Sequence, residues 1–141
     1  MSLIAPNRKA GRKLLKQIAE DTGLFDSTFD HMPPELDGTS PLFAVESYGN
    51  AGTSQENTAV NRYRCVIFVR RIDFGEAEDA LDDIAYALRK ALLEKSSGTD
   101  AWHFTQIDDE PSLTGSTVTD ETHGVQYRTE DIFVDAIQIC G

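Results

Sequence analysis

VNRYRCVIFVRRIDFGEAEDALDDIAYALRKALLEK, residues Val60 to Lys95, decides how this chain folds. Tyr63, Cys65, Ile67 and Val69 alternate with Arg62, Arg64, Val66, Phe68, Arg70 and Ile72, the period of two that belongs to a strand. A strand over Val60–Asp73 spans roughly 45 Å at about 3.3 Å per residue. From Asp73 the period changes to three and four. Leu81, Ile84, Leu88 and Leu92, with Ala77, Ala85 and Ala91 between them, form the apolar stripe of a helix. Asp73 with Glu76 matches a capping box. Glu76, Glu78, Asp79, Asp82 and Asp83 lead and Arg89, Lys90 and Lys95 trail, as the helix dipole favours, before Ser96-Ser97-Gly98 ends the run. Burying the four large side chains contributes roughly 6–12 kcal/mol before entropy is charged.

One side of the strand, Tyr63 to Val69, is a clean core face. The other raises a question. Arginine stems can lie over apolar surface, but Val66 and Phe68 need cover, which we expect from the first helix or from a neighbouring subunit.

Upstream, Ala10, Leu14, Leu15, Ile18 and Ala19 predict a helix over Asn7–Thr22, ended by Gly23. Its cations sit at the N-terminal end and Glu20 and Asp21 at the C-terminal end, against the dipole. Packing or a partner must offset that. Leu24–Ser40 is irregular and acidic, and Pro33-Pro34 forbids helix there. Leu24, Phe25, Phe29 and Met32 would pin this connector to the body. Pro41–Tyr48 reads as a short strand, and Gly49–Ala59 as a polar loop longer than a tight hairpin needs.

Downstream, Ala101–Asp108 reads as a strand and Asp109–Thr122 as a second long polar loop. Gly124–Ile139 closes the chain as a strand whose apolar side changes midway. Val125 and Tyr127 share one face, whereas Ile132, Val134 and Ala136 share the other, so a bulge near Thr129–Asp131 is expected. The reading is α+β: a mainly antiparallel sheet of about four strands, one long helix packed on it and an N-terminal helix, in the order α-β-β-α-β-β, with residues 1–141 as a single domain.

The chain has 141 residues, 40% hydrophobic and 26% charged, as expected of a soluble globular protein. No apolar run reaches the roughly 20 residues of a membrane helix, and the N-terminus does not read as a secretory signal. A cytoplasmic origin follows. The net charge of −11 argues against general nucleic-acid binding. Five of the thirteen Lys and Arg but only one of the twenty-four acids fall in residues 1–20, leaving that stretch at +4 and the remainder at −15. Opposite charge on two parts of one small protein suits head-to-tail or ring assembly; a solvated basic face is the plainer reading. Cys65 and Cys140 are too few for a disulfide framework, and Cys65 reads as a buried thiol.

The sequence contains no G-x-S-x-G elbow, Walker loop or G-x-G-x-x-G. His31, His103 and His123 lack metal-site spacing. Asp108-Asp109-Glu110 could hold a hard cation, form an acidic turn, or line a pore that DNA crosses without sticking. We assign no catalytic, cofactor-binding or metal residue, and expect no cofactor and no enzyme activity.

Four stretches resemble the tail terminator proteins of lambda-like long-tailed bacteriophages. LFDSTFDHMPPELDGTSPLFAVESYG is similar to that family's connector and first clear strand. TSQENTAVNRYRCVIFVRRID resembles its polar loop and long central strand, AEDALDDIAYALRKAL its packed helix, and WHFTQIDDEPSLTGSTVTDETHGVQYRTEDIFVDAI its last hairpin. The resemblance runs from Arg12 to Ile137 and is one of order, length and texture. It implies a virion structural protein, made in the host cytoplasm, that forms a hexameric ring on the tail tube and stops its polymerisation. It further implies an interface to the head-tail connector, with DNA passing through the lumen and no membrane partner. Arg64, Phe68 and Arg70 are then expected at the subunit contact. Asn50, Gln55, Glu56, Ser112 and Thr117, on the two polar loops, are expected to touch tube or connector. A head-completion or neck protein is the alternative in the same setting, and a small α+β enzyme or ligand-binding domain the alternative outside it.

Overall fold

The computed structural model describes residues 8–34, 36, 38–55, 58–70, 74–95, 102–107, 116–120 and 124–138. The elements run α1 (Arg8–Asp21), β1 (Ser27–Phe29), β2 (Leu42–Gln55), β3 (Thr58–Arg70), α2 (Phe74–Glu94), β4 (Trp102–Ile107), β5 (Ser116–Asp120) and β6 (Val125–Gln138). The fold is α+β. Its sheet has six strands rather than about four, in the order β1-β2-β3-β6-β4 with β5 also on β6. All pairings are antiparallel except β1 with β2.

The central ladder is β3 on β6, which runs without a slip from Val60 opposite Ile137 to Arg70 opposite Tyr127. The bulge expected near Thr129–Asp131 is therefore absent. The change of side in β6 is real, but it reflects two cores. One face of the sheet buries Phe43, Val45, Tyr63, Cys65, Ile67, Val69, Ile132, Val134 and Ala136 under the two helices. The other buries Leu42, Ala44, Val66, Phe68, Val125 and Tyr127. A strand that is apolar on alternate sides in its two halves suits a sheet covered on both faces at different places.

The cover over Val66 and Phe68 is neither the first helix nor a neighbour. It is the connector, through Phe29, Met32 and Leu36. The Tyr127 ring stands edge-on to Phe68 with centroids 6.2 Å apart, and its hydroxyl donates to the Thr39 carbonyl at 3.1 Å. Before it crosses, the connector leaves Phe25 on the helix side, 5.5 Å from the Phe43 ring. Between these anchors Ser27–Phe29 pairs with Leu42–Ala44, the short strand that the irregular reading of Leu24–Ser40 did not anticipate.

Two stretches read as loops contain strand. β2 continues through Gly49 to Gln55, paired with β3 but shifted in register between Ser47 and Gly49, Asn50 and Gly52, and Thr53 and Gln55. Each shift breaks the period of two, which is why the alternation is invisible in the sequence. Gly49, at φ 125, takes a conformation that other residues rarely adopt. Within Asp109–Thr122, Ser116–Asp120 pairs with β6 as β5. The expected helix cap at Asp73, the Ser96–Gly98 stop, Cys140 and Asp108–Glu110 lie outside the described residues.

α2 buries Ala77, Leu81, Ile84, Ala85, Leu88 and Leu92, the stripe read from the sequence. α1 buries Gly11, Leu15, Ile18 and Ala19. Its adverse C-terminal acids are engaged locally. Lys16 and Thr28 both donate to Glu20, at 2.7 and 2.8 Å, which holds the Glu20 carboxyl below its usual range. Gln17 donates to Asp21 at 2.8 Å. Arg12 reaches down to the Asp30 carbonyl at 2.9 Å and the Ser47 hydroxyl at 2.7 Å, tying α1 to the connector and to β2.

Gly11 sets how closely α1 approaches the sheet. A methyl group there would overlap the hydroxyl of Tyr63, which is fully buried. Burial pushes the Tyr63 phenol up to about 12, against the opposing pull of the Arg12 charge. Gly11→Ala is expected to lower the urea midpoint. Overpacking costs about 1–3 kcal/mol, against about 1 kcal/mol gained in helix propensity. A raised midpoint would show that α1 does not rest on Tyr63.

Candidate functional site

Beyond the patch covered by the connector, the second face of the sheet changes character. Here β2, β3 and β6 contribute Glu46 and Tyr48, Arg62 and Arg64, and Asp131, Phe133 and Asp135. Strand register explains the grouping: Glu46 lies opposite Arg64, and Arg62 opposite Asp135. Arg62 grips Asp135 with both arms, Nε to Oδ1 at 2.8 Å and Nη2 to Oδ2 at 3.0 Å. Arg64 lies 3.2 Å from Glu46 and 3.5 Å from Asp131. The slip at Tyr48 turns its ring edge-on to Phe133, with centroids 4.9 Å apart and the tyrosine half exposed. The result is a strip of half-buried arginines among the half-buried Glu46 and the buried Asp131 and Asp135, edged by an aromatic ring.

The same logic operates in reverse on the helix side. Where β6 is no longer apolar toward the helices, Arg128 reaches Glu78 at 2.6 Å and Arg89 reaches Glu130 at 2.5 Å. These pairs clamp α2 to the strand. They are structural in position, with Glu130 buried beneath the helix.

The expected contact residues fall in different surroundings. Phe68 is buried between Tyr127 and the connector, so it presents little surface to a neighbour. Arg64 is half-buried in the strip. Arg70 is exposed at the far end of β3, its amide donating to the Ser40 hydroxyl at 2.9 Å. Along a strand, six residues separate Arg64 from Arg70 by roughly 20 Å. The three residues do not form one patch. Asn50 and Gln55 lie on β2 and Thr117 on β5, as strand positions rather than loop positions. Glu56 and Ser112 lie outside the described residues. Tyr48, Arg62 and Asp135 were not singled out from the sequence, although Arg62 alternates with Arg64 and could have been paired with an acid on the last strand.

Among the described residues no group of three His, Cys, Asp or Glu side chains is placed to hold a metal ion. An open hollow of about 230 Å³ lies between the C-terminal ends of the two helices, lined by Ile18, Asp21, Thr22, Ala91, Glu94 and Lys95. It contains no nucleophile paired with a base. No helix among the described residues is long and apolar enough to cross a membrane.

No protein-family model matches the chain, and no curated protein matches it. Among solved structures, it is similar to that of the bacteriophage SPP1 gp17 protein, with 11% sequence identity and a TM-score of 0.43, over 94% of this chain and 93% of that one. Likeness of that degree defines no shared function.

Asp131 is the most perturbed carboxylate of the strip. Burial raises its pKa above the ordinary value, Arg64 opposes the rise, and Glu46 and Glu130 add to it. A raised folded-state pKa favours the neutral acid. Its contribution to stability is full below the unfolded pKa and is lost as pH climbs through the folded one. In Asp131→Asn that dependence disappears. In urea denaturation, the stability of wild type relative to the variant should therefore rise as pH falls from neutral into the carboxylate range. A difference independent of pH would show that Asp131 has ordinary acidity.

Proposed function

We propose that this protein is a structural component of a bacteriophage tail, a terminator that caps the tail tube as a ring. The observation carrying this reading is the way the four resembling stretches fold. They form a connector leading into a strand, a long central strand, one packed helix and a closing antiparallel unit of strands. These follow the order that the resemblance implies, except that much of its polar loop is here paired strand. The surface adds support of a physical kind: its distinctive features are charged strips on firm elements.

In this reading six copies close a ring, the ring sits on the last layer of the tube, and its other side meets the head-tail connector. DNA passes through the lumen without sequence-specific contact. The acidic balance outside α1 suits that passage, since like charge keeps the polymer from sticking. Arg64 and Arg70 remain the proposed subunit contacts, now with Tyr48 beside Arg64 and without Phe68. The backbones around Asn50, Gln55 and Thr117 offer strand edges and a hairpin end to tube or connector.

Purified tail tubes provide the test. The protein is expected to bind tube ends as a ring, and Arg64→Glu with Arg70→Glu to weaken ring formation by about tenfold or more, as charge reversal at a contact does. A double variant that still closes rings on tube ends as well as wild type would remove these residues from the contact. Binding to connector complexes but not to tube ends would replace the terminator with a head-completion protein. Binding to neither would end the tail reading.

A further inference from the structure

The helix layer carries exposed rows of like charge. α1 and α2 bury their apolar stripes in the same core, on one face of the sheet, so their outer faces both look away from it. The outer face of α1 presents Lys9 and Lys13, both exposed. That of α2 presents Asp79 and Asp83, also exposed, followed by Tyr86 at 72% exposure and Leu93 at 61%. In each helix the two like charges are four residues apart, one turn or about 6 Å along the axis. Such pairs weaken the helix that bears them. Lys9 also stands in the first turn of α1, a turn with no acidic residue, where the dipole disfavours a cation. Each strained feature is the electrostatic complement of the other.

We propose that this layer is a self-complementary docking face whose occupant is a second copy of the chain, related by a two-fold axis. An axis lying in the interface, between the two helices, places the α1 of each copy over the α2 of the other. Lys9 and Lys13 then meet Asp79 and Asp83 twice, once on each side of the axis, as an isologous contact requires. The carboxylates approach the first turn of α1, which its dipole favours. Tyr86 offers an aromatic face to the lysine stems, and Leu93 supplies apolar area about two turns further along α2. The net charge of −11 repels two copies at long range. At about 0.1 M salt the screening length is about 10 Å, which damps that repulsion while sparing contacts at ion-pair distance. Pairing through the helices leaves the second face of the sheet, with Arg64 and Arg70, uncovered. The inference thus goes beyond the ring and does not depend on it.

Sedimentation of the isolated protein tests it without tail tubes, so its outcome is separate from that of tube binding. Wild type is expected to sediment as a concentration-dependent dimer near 0.1 M salt and as a monomer near 1 M, where the screening length falls to about 3 Å. Lys9→Glu with Lys13→Glu, and separately Asp79→Lys with Asp83→Lys, should each weaken pairing about tenfold or more. Circular dichroism should be unchanged, since all four side chains are exposed. An equimolar mixture of the two variants should restore the dimer, because each contact again joins acid to base. Wild type that stays monomeric in moderate salt overturns the proposal. So does an oligomer that survives both reversals, or a mixture that stays monomeric.

Discussion

The unslipped pairing of β3 with β6 is the constraint from which the rest of the architecture follows. From Val60 opposite Ile137 to Arg70 opposite Tyr127 there is no bulge, so every side chain on both strands has its face fixed by parity alone. β3 is apolar on one side from Tyr63 to Val69 and also carries Val66 and Phe68 on the other. β6 is apolar toward the second face in its first half and toward the helices in its second. Such a pair can be buried only by covering both sides, and the chain has two kinds of cover. Two helices lie over the larger apolar area, and a connector containing two prolines lies over the smaller one.

Charge fills the positions that apolar parity vacates. Toward the helices, β6 offers Arg128 and Glu130, which pair with Glu78 and Arg89. Toward the second face it offers Asp131 and Asp135, which pair with Arg64 and Arg62. Buried carboxylates are costly unless paired. Register puts Asp135 opposite Arg62 and Asp131 diagonal to Arg64, whereas Glu130 takes Arg89 from α2. Asp131 shows the limit of that arrangement. It shares Arg64 with Glu46, and its raised pKa shows that this share does not fully offset its burial.

Much of this was legible in the residues, and the failures share a cause. The α2 stripe, the α1 stripe, the core face of β3 and the change of side in β6 all follow from periodicity. Periodicity reports which side a residue faces but not what lies there. It therefore showed that Val66 and Phe68 need cover without revealing that Phe29, Met32 and Leu36 provide it. The change of side in β6 suggested a bulge because a single core was assumed. The register shifts fall elsewhere: one in the β4–β6 pairing, and three within Ser47–Gln55 of β2 that erase the alternation and make a paired strand look like a loop. β1 and β5, three and five residues long, are too short to show a period at all. The strip on the second face was half visible: Arg64 stood out, but Arg62 did not, and its carboxylate partner Asp135 lies 73 positions later. Sequence spacing cannot supply that register.

The exposed surface also has a physical logic of its own. Among the described residues, exposed charge lies on the outer turns of two helices and on the open half of a sheet face. On the helices, rows of like charge stand one turn apart, an arrangement that costs each helix stability in isolation. A row of lysines on one helix and a row of aspartates on its neighbour lose that cost together when each meets the other sign. Complementary rows of charge on firm elements can be neutralised by a partner without any change in the fold that displays them.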